Sequence, residues 1–250
     1  MEQKKELSAD RIEGRNPVME ALKAGRCIDK LFVQKDLSEG SLGRIRAMAR
    51  EGGIVVSEVA KQKLDHMSQT GAHQGVIACT AVHEYAQLED VLRLAEEKGE
   101  PPFLVIADEI SDPHNLGSIL RSANAAGAHG VIIPKHRSVG LSAVVAKASA
   151  GAIEYVPVVR VTNLVRTAEE LKKQGIWIAG AAMEGDQPYY QADFTGSLAL
   201  VVGSEGFGIS RLLKEACDFL VSIPMKGEIN SLNASVAAGI LLMEAARQRG

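Results

Sequence analysis

Three short stretches of this chain carry the side chains that could do chemistry: amides, a carboxylate, a guanidinium and hydroxyls. In the first, Asp108-Glu109-Ile110-Ser111-Asp112-Pro113-His114-Asn115-Leu116-Gly117-Ser118-Ile119-Leu120-Arg121, an amide precedes a guanidinium by six residues. The second, Val201-Val202-Gly203-Ser204-Glu205-Gly206-Phe207-Gly208, sets one carboxylate in a glycine-rich turn. The third runs from Ile223 to Gly239 and holds Ser231 and Asn233 ahead of the small residues Ala234, Ala237, Ala238 and Gly239. An apolar run, Phe219 to Ile223, reads as a buried strand that Pro224 ends because it has no N–H. Asn233 or Ser231 then suits a helix N-cap, and the small residues behind it let another backbone lie close. Strand, polar loop and small-residue helix describe a ligand crevice at the carboxyl edge of a parallel sheet.

The glycines narrow the chemistry. Their order at 203, 206 and 208 is G-x-x-G-x-G, the reverse of the dinucleotide fingerprint, and no Gly-Lys-Ser/Thr closes the run as in a P-loop. A nicotinamide-dependent oxidoreductase is disfavoured on that ground. His114 is a lone loop histidine and is set aside as a base. Cys27, Cys79 and Cys217 are scattered without CxxC spacing, so neither a zinc site nor a disulfide framework is expected.

The elements that must position these residues follow from pattern. Phe103–Asp108 is a continuous apolar strand of the kind buried on both faces of a parallel sheet. Further strands are expected at 131–133, 155–159, 177–181, 198–202 and 219–223, separated by helices at 116–126, 143–150, 164–173 and 210–215. That alternation predicts an α/β fold with a parallel sheet over 102–250. Residues 1–83 alternate shorter helices and strands, enough for a small separate domain. The charged stretch 84–101, closing on Gly99-Glu100-Pro101-Pro102, reads as a solvated helix and a loop, compatible with an interdomain linker. The first ten residues are charged and expected to be loose.

Charge separates the two parts only mildly. Residues 1–83 hold 13 Lys and Arg against 11 Asp and Glu, and the remainder 15 against 20, within a net charge of −3. Arg15, Arg44, Arg46 and Arg50 are candidate phosphate contacts in the first part. The N-terminus lacks an apolar h-region and no apolar run reaches about 18 residues, so neither a signal peptide nor a membrane span is expected and a cytoplasmic setting fits.

The three stretches together resemble the SpoU (TrmH-type) RNA 2′-O-ribose methyltransferases. The resemblance rests on Asn115…Arg121, on Val202–Gly208, and on Ile223-Pro224-Met225…Ser231-Leu232-Asn233-Ala234-Ser235-Val236-Ala237, in that order and spacing. Gly14-Arg15-Asn16-Pro17-Val18…Glu20-Ala21-Leu22 adds a match to the branch with an N-terminal substrate-binding domain, so nearly the whole chain is covered. The resemblance implies a trefoil knot in the C-terminal domain, an L30e-like N-terminal domain, a homodimer and S-adenosyl-L-methionine as cofactor. Within the family it is nearest to enzymes that methylate a guanosine ribose in the P loop of 23S rRNA. A tRNA, another rRNA position, or a non-catalytic RNA-binding assembly factor are the alternatives.

Roles follow by the same resemblance. Gly203, Ile223 and Leu232 line the cofactor pocket. Arg121 is the reacting-centre residue. Because guanidinium stays protonated, it is better suited to hold a phosphate and stabilise a developing alkoxide than to act as a base. Asn115 orients Arg121 or the ribose, Glu205 pairs with Arg121 or Asn115, and Ser231 and Asn233 hydrogen-bond near the transfer site.

Overall fold

A computed structural model describes residues 11–35, 37, 40–228 and 231–250. The first ten residues, expected to be loose, lie outside the described residues. The chain divides into two compact units, one formed by residues 1–84 with 140–143 and one by 85–139 with 144–250.

In the first unit the elements are β1 (Arg11–Glu13), α1 (Arg15–Lys23), β2 (Ile28–Gln34), α2 (Ser41–Glu51), β3 (Val55–Val59), α3 (Lys61–Met67) and β4 (Val76–Thr80). Its sheet runs β1-β4-β2-β3, with β4 antiparallel to β1 and β2, and β2 parallel to β3. Alternation along a strand sends successive side chains to opposite faces. Leu31 and Val33 of β2 thus join Val76 and Ala78 of β4 against α1 and α2, while Phe32 and Ile77 meet Leu64 of α3 on the other face. β1 escaped the sequence reading because three residues carry no period. Its Glu13 accepts hydrogen bonds from the Ser68 and Thr70 hydroxyls and from the Gln69 N–H, each at 2.6 Å.

The second unit holds α4 (Leu88–Lys98), β5 (Phe103–Ala107), α5 (Pro113–Ala125), β6 (Gly130–Pro134), α6 (Ala143–Ala148), β7 (Val158–Val161), α7 (Leu164–Lys173), β8 (Trp177–Ala181), β9 (Gln187–Pro188), β10 (Leu198–Val202), α8 (Arg211–Glu215), β11 (Phe219–Ser222) and α9 (Ala234–Arg249). Its sheet is parallel throughout, in the order β7-β6-β5-β10-β8-β11-β9. The central pair, Phe-Leu-Val-Ile-Ala of β5 beside Leu-Ala-Leu-Val-Val of β10, is buried at every position, as a strand covered on both faces must be.

Two expectations need correcting. The strand sought at 155–159 begins at Val158, because Ala152–Glu154 is a 3₁₀ turn, Tyr155 is exposed and Pro157 has no N–H for the ladder. The stretch read as a solvated helix and linker contains α4, whose Val91 and Ala95 are fully buried and whose Val91 joins the core around Leu104 and Ile132. Gly130 makes room for that helix: a methyl there would lie 2.6 Å from a Val91 methyl.

Candidate active site

The carboxyl ends of β5, β10 and β11 bring the three motifs together. After β5, Asp108 is buried and accepts a 2.8 Å hydrogen bond from the Ser210 N–H, tying this loop to the start of α8. Asp112 caps α5 by accepting from the His114 N–H at 2.7 Å, with Pro113 at the first helical position. That cap fixes Asn115 in the first turn, its side chain 8% exposed. After β10, residues Ser204 and Gly208 exchange both backbone hydrogen bonds, at 3.0 and 2.9 Å, and close a tight loop over Glu205. After β11, Asn233 caps α9, its Oδ1 accepting from the Ser235 and Val236 N–H groups at 3.0 and 3.3 Å.

These three side chains form a closed ring. The Asn115 Nδ2 donates to Glu205 Oε1 at 3.0 Å, and the Asn233 Nδ2 donates to Asn115 Oδ1 at 2.9 Å and also to Glu205 Oε1. Asn233 therefore serves both purposes, its oxygen for the helix and its nitrogen for the ring. Between the two sequence candidates for the cap the structure selects Asn233, leaving Ser231 exposed. Glu205 takes both amides on one oxygen, and Oε2 has no hydrogen bond among the described residues.

Beside the ring lies a cavity of about 320 Å³ bordered by Val202, Gly203, Ile223, Ser231 and Leu232. Its lining also includes Ser204, Gly206 and Ala234, so Glu205 and Asn233 stand between residues of its wall. Gly203 is demanded by the loop itself: a methyl there would fall 2.0 Å from the Gly208 carbonyl carbon and 2.2 Å from the Ile209 nitrogen. Gly206 and Gly208 follow at φ +84° and +66°, a conformation that side chains disfavour. Sequence reasoning missed another part of the lining, where Ala181 ends β8, Ala182 follows it and Lys214 of α8 pairs with Glu184. No motif marks those positions, although a polar segment after an apolar strand was a usable signal.

Arg121 stands apart from the ring. Six residues along a helix turn it about 120° away from Asn115. It is exposed and makes no hydrogen bond or ion pair among the described residues, so the anticipated alternative of a Glu205–Arg121 pair is not formed. Of the basic candidates in the first unit, Arg44 and Arg50 are exposed. Arg46 is committed internally, donating to the Leu37 and Gln34 carbonyls at 2.7 and 3.1 Å with Glu58 at 3.4 Å, and so is corrected to a structural role. Arg15 donates from Nε to the Gln74 carbonyl at 3.0 Å. Under the sheet, burial pushes the Cys217 thiol up to about 12, with Asp218 adding to the effect.

Comparison with known proteins agrees with this geometry. Residues 102–243 match the SpoU rRNA Methylase family, and residues 11–86 match the RNA 2′-O ribose methyltransferase substrate binding family. YacO of Bacillus subtilis (strain 168), named for the TrmH family of tRNA/rRNA methyltransferases, is 51% identical over 240 residues, covering 96% of each chain. A relative of the same description from Staphylococcus aureus (strain MSSA476) is 48% identical over 238 residues, covering 95% of this chain and 96% of its own. Among solved structures, the SpoU methyltransferase AviRb from Streptomyces viridochromogenes, in complex with AdoMet, matches with TM-score 0.61 and 28% identity over 96% of this chain and 90% of its own. With its three motifs joined at one sheet edge and both family models matched in order, the chain belongs to the SpoU family of RNA methyltransferases.

Proposed function

We propose that the chain transfers a methyl group from S-adenosyl-L-methionine to a ribose 2′-hydroxyl of RNA. The observation that carries this reading is the Asn115–Glu205–Asn233 ring, whose Glu205 and Asn233 each fall between two residues that line the 320 Å³ cavity. That volume falls at the lower end for ligand sites, and Val202, Ile223 and Leu232 offer apolar walls suited to an adenine. When bound, the cofactor supplies an electrophilic methyl group carried on a sulfonium.

The chain's own residues account for the rest. A ribose hydroxyl is a weak nucleophile until its proton leaves, and Glu205 Oε2 is the acceptor the ring leaves open. The two amides hold that carboxylate in place, so no reorganisation is needed as the proton moves. Arg121 keeps its charge and holds a phosphate of the target nucleotide while stabilising the oxygen as it turns anionic. Ser231, at the cavity wall, is a hydrogen-bond donor and acceptor toward the ribose.

The same reading extends to substrate and assembly. We assign the substrate as a guanosine in the P loop of 23S rRNA, the reaction of RlmB, acting in the cytoplasm. Residues 1–83 serve as an L30e-like RNA-binding domain and 102–250 as the catalytic domain, with 84–101 leading into it and a trefoil knot at its C-terminal helix. A homodimer forms through the catalytic domain, supported by Val236 and Met243, which α9 leaves 49% and 53% exposed.

Tritium transfer from labelled S-adenosyl-L-methionine to unmodified 23S rRNA, with mapping of alkali-resistant positions, tests the reaction, the cofactor and the substrate. One resistant guanosine in the P loop is the expected result. Label at another ribose, or in tRNA, keeps the reaction and discards the substrate. Cofactor binding without transfer to any RNA turns the reading toward an assembly factor.

A further inference from the structure

Phe207 is the most exposed large apolar side chain among the described residues, at 93%. A single exposed apolar residue is ordinary, but this one is held where it is. Its backbone sits between Gly206 and Gly208 in the loop that Ser204 and Gly208 close, and Gly203 abuts that closure at the strand end. The closed loop thus fixes the backbone that carries the phenyl ring and leaves that ring in water. Two more exposed apolar side chains, Met183 and Met225, border the same cavity from the loops after β8 and β11, at 66% and 39% exposed. An apolar collar therefore surrounds the mouth of a site whose inner wall is Val202, Ile223 and Leu232.

We propose that Phe207 is the stacking platform for the base of the RNA nucleotide being methylated. This rests on the function proposed above. Glu205, the proton acceptor, lies two residues away on the same pinned loop, so a ribose placed at Glu205 has its base within reach of Phe207. Bases splayed out of single-stranded RNA are held by stacking on aromatic faces. The alternative planar group is the adenine of the cofactor. The inner apolar walls already serve that group, whereas Phe207, which also borders the cavity, is 93% exposed.

The test compares Phe207→Ala, Phe207→Leu and Phe207→Trp in the full chain, using 23S rRNA transcripts as substrate and S-adenosylhomocysteine as the cofactor probe. Phe207→Ala is expected to lower kcat/KM for the transcript by about tenfold to a hundredfold, chiefly through KM. The dissociation constant of S-adenosylhomocysteine is expected to stay within about twofold, since the inner walls are intact. Phe207→Trp restores the activity and Phe207→Leu does not, because stacking needs a planar ring. In a Trp177→Phe background, which removes the chain's own exposed indole, the indole of Phe207→Trp reports directly, its fluorescence changing as transcript is added, which keeps the test open should Phe207→Ala fold poorly. Loss of S-adenosylhomocysteine affinity in step with RNA affinity assigns Phe207 to the cofactor and overturns the proposal. So does an unchanged KM, a leucine variant equal to wild type, or an indole blind to RNA. A wild-type protein that methylates no RNA fails independently of residue 207, and sinks the underlying function instead.

Discussion

Glu205 is tethered through a single oxygen, so the cost of removing its charge can be separated from the cost of losing its shape. Glu205→Gln keeps a carbonyl oxygen for the two asparagine amides but cannot accept a proton. A loss of about 10²- to 10⁴-fold in kcat, with cofactor affinity preserved, is expected in single-turnover assays. Activity near wild type would remove Glu205 as the acceptor. Arg121→Lys keeps the charge and discards the planar fork, so a fall in kcat/KM with an unchanged dependence on salt is the expected outcome, and near-normal methylation sinks any role for the fork. Asn115, Glu205 and Asn233 were legible because they stand in ordered motifs after strand ends. The separation of Arg121 from them was not, since a spacing of six gives no hint of which way a side chain faces until the helix is phased by its neighbours.

Elements carry the next level of the argument. Asn233 divides its side chain between capping α9 and bonding the ring, and one substitution separates the two. Asn233→Asp retains the Oδ1 that caps, so the melting temperature should hold, yet it sets a second carboxylate against Glu205 and should abolish methylation. Equal loss of stability and activity would mean that the ring is only scaffolding. Gly203→Ala forces a methyl into the Gly208 carbonyl, and a destabilisation of about 1–3 kcal/mol with loss of cofactor binding is expected in denaturant titration. The long buried strands β8 and β10 were read at their observed limits, because continuous apolar runs leave little choice. β1 and β9, of three and two residues, were invisible for want of any period. The amphipathic α4 was read as a solvated helix because its buried face is only Val91 and Ala95, and the room for Val91 depends on Gly130 of β6, 39 residues further along the chain.

At the scale of the whole molecule, each unit carries its own vulnerability. In the first, burial acts against Glu13 ionisation, yet the hydrogen bonds from Ser68, Thr70 and Gln69 hold its carboxyl down to about 2 from an ordinary 4.5. A lowered folded-state pKa contributes stability above the unfolded value and loses it as pH falls through the folded one. Acid titration should therefore weaken the first unit between pH 4.5 and about 2, and Glu13→Gln should flatten the dependence across that window. In the second, the half-buried Cys217, its thiol pushed up to about 12, should resist thiol reagents at pH 8 until the chain is unfolded, while the exposed Cys27 reacts at once.

The ring also has a consequence for time. Asn115 and Asn233 lie 118 residues apart in sequence, and Asp108 reaches Ser210 across 102. Chains emerge from synthesis in order, and contacts between distant residues are the slow ones to form. The sheet of the first unit, which ends at Thr80, can be in place while the second unit still lacks the helix that closes its ring. An unfinished chain of this kind has its first sheet before it has its ring.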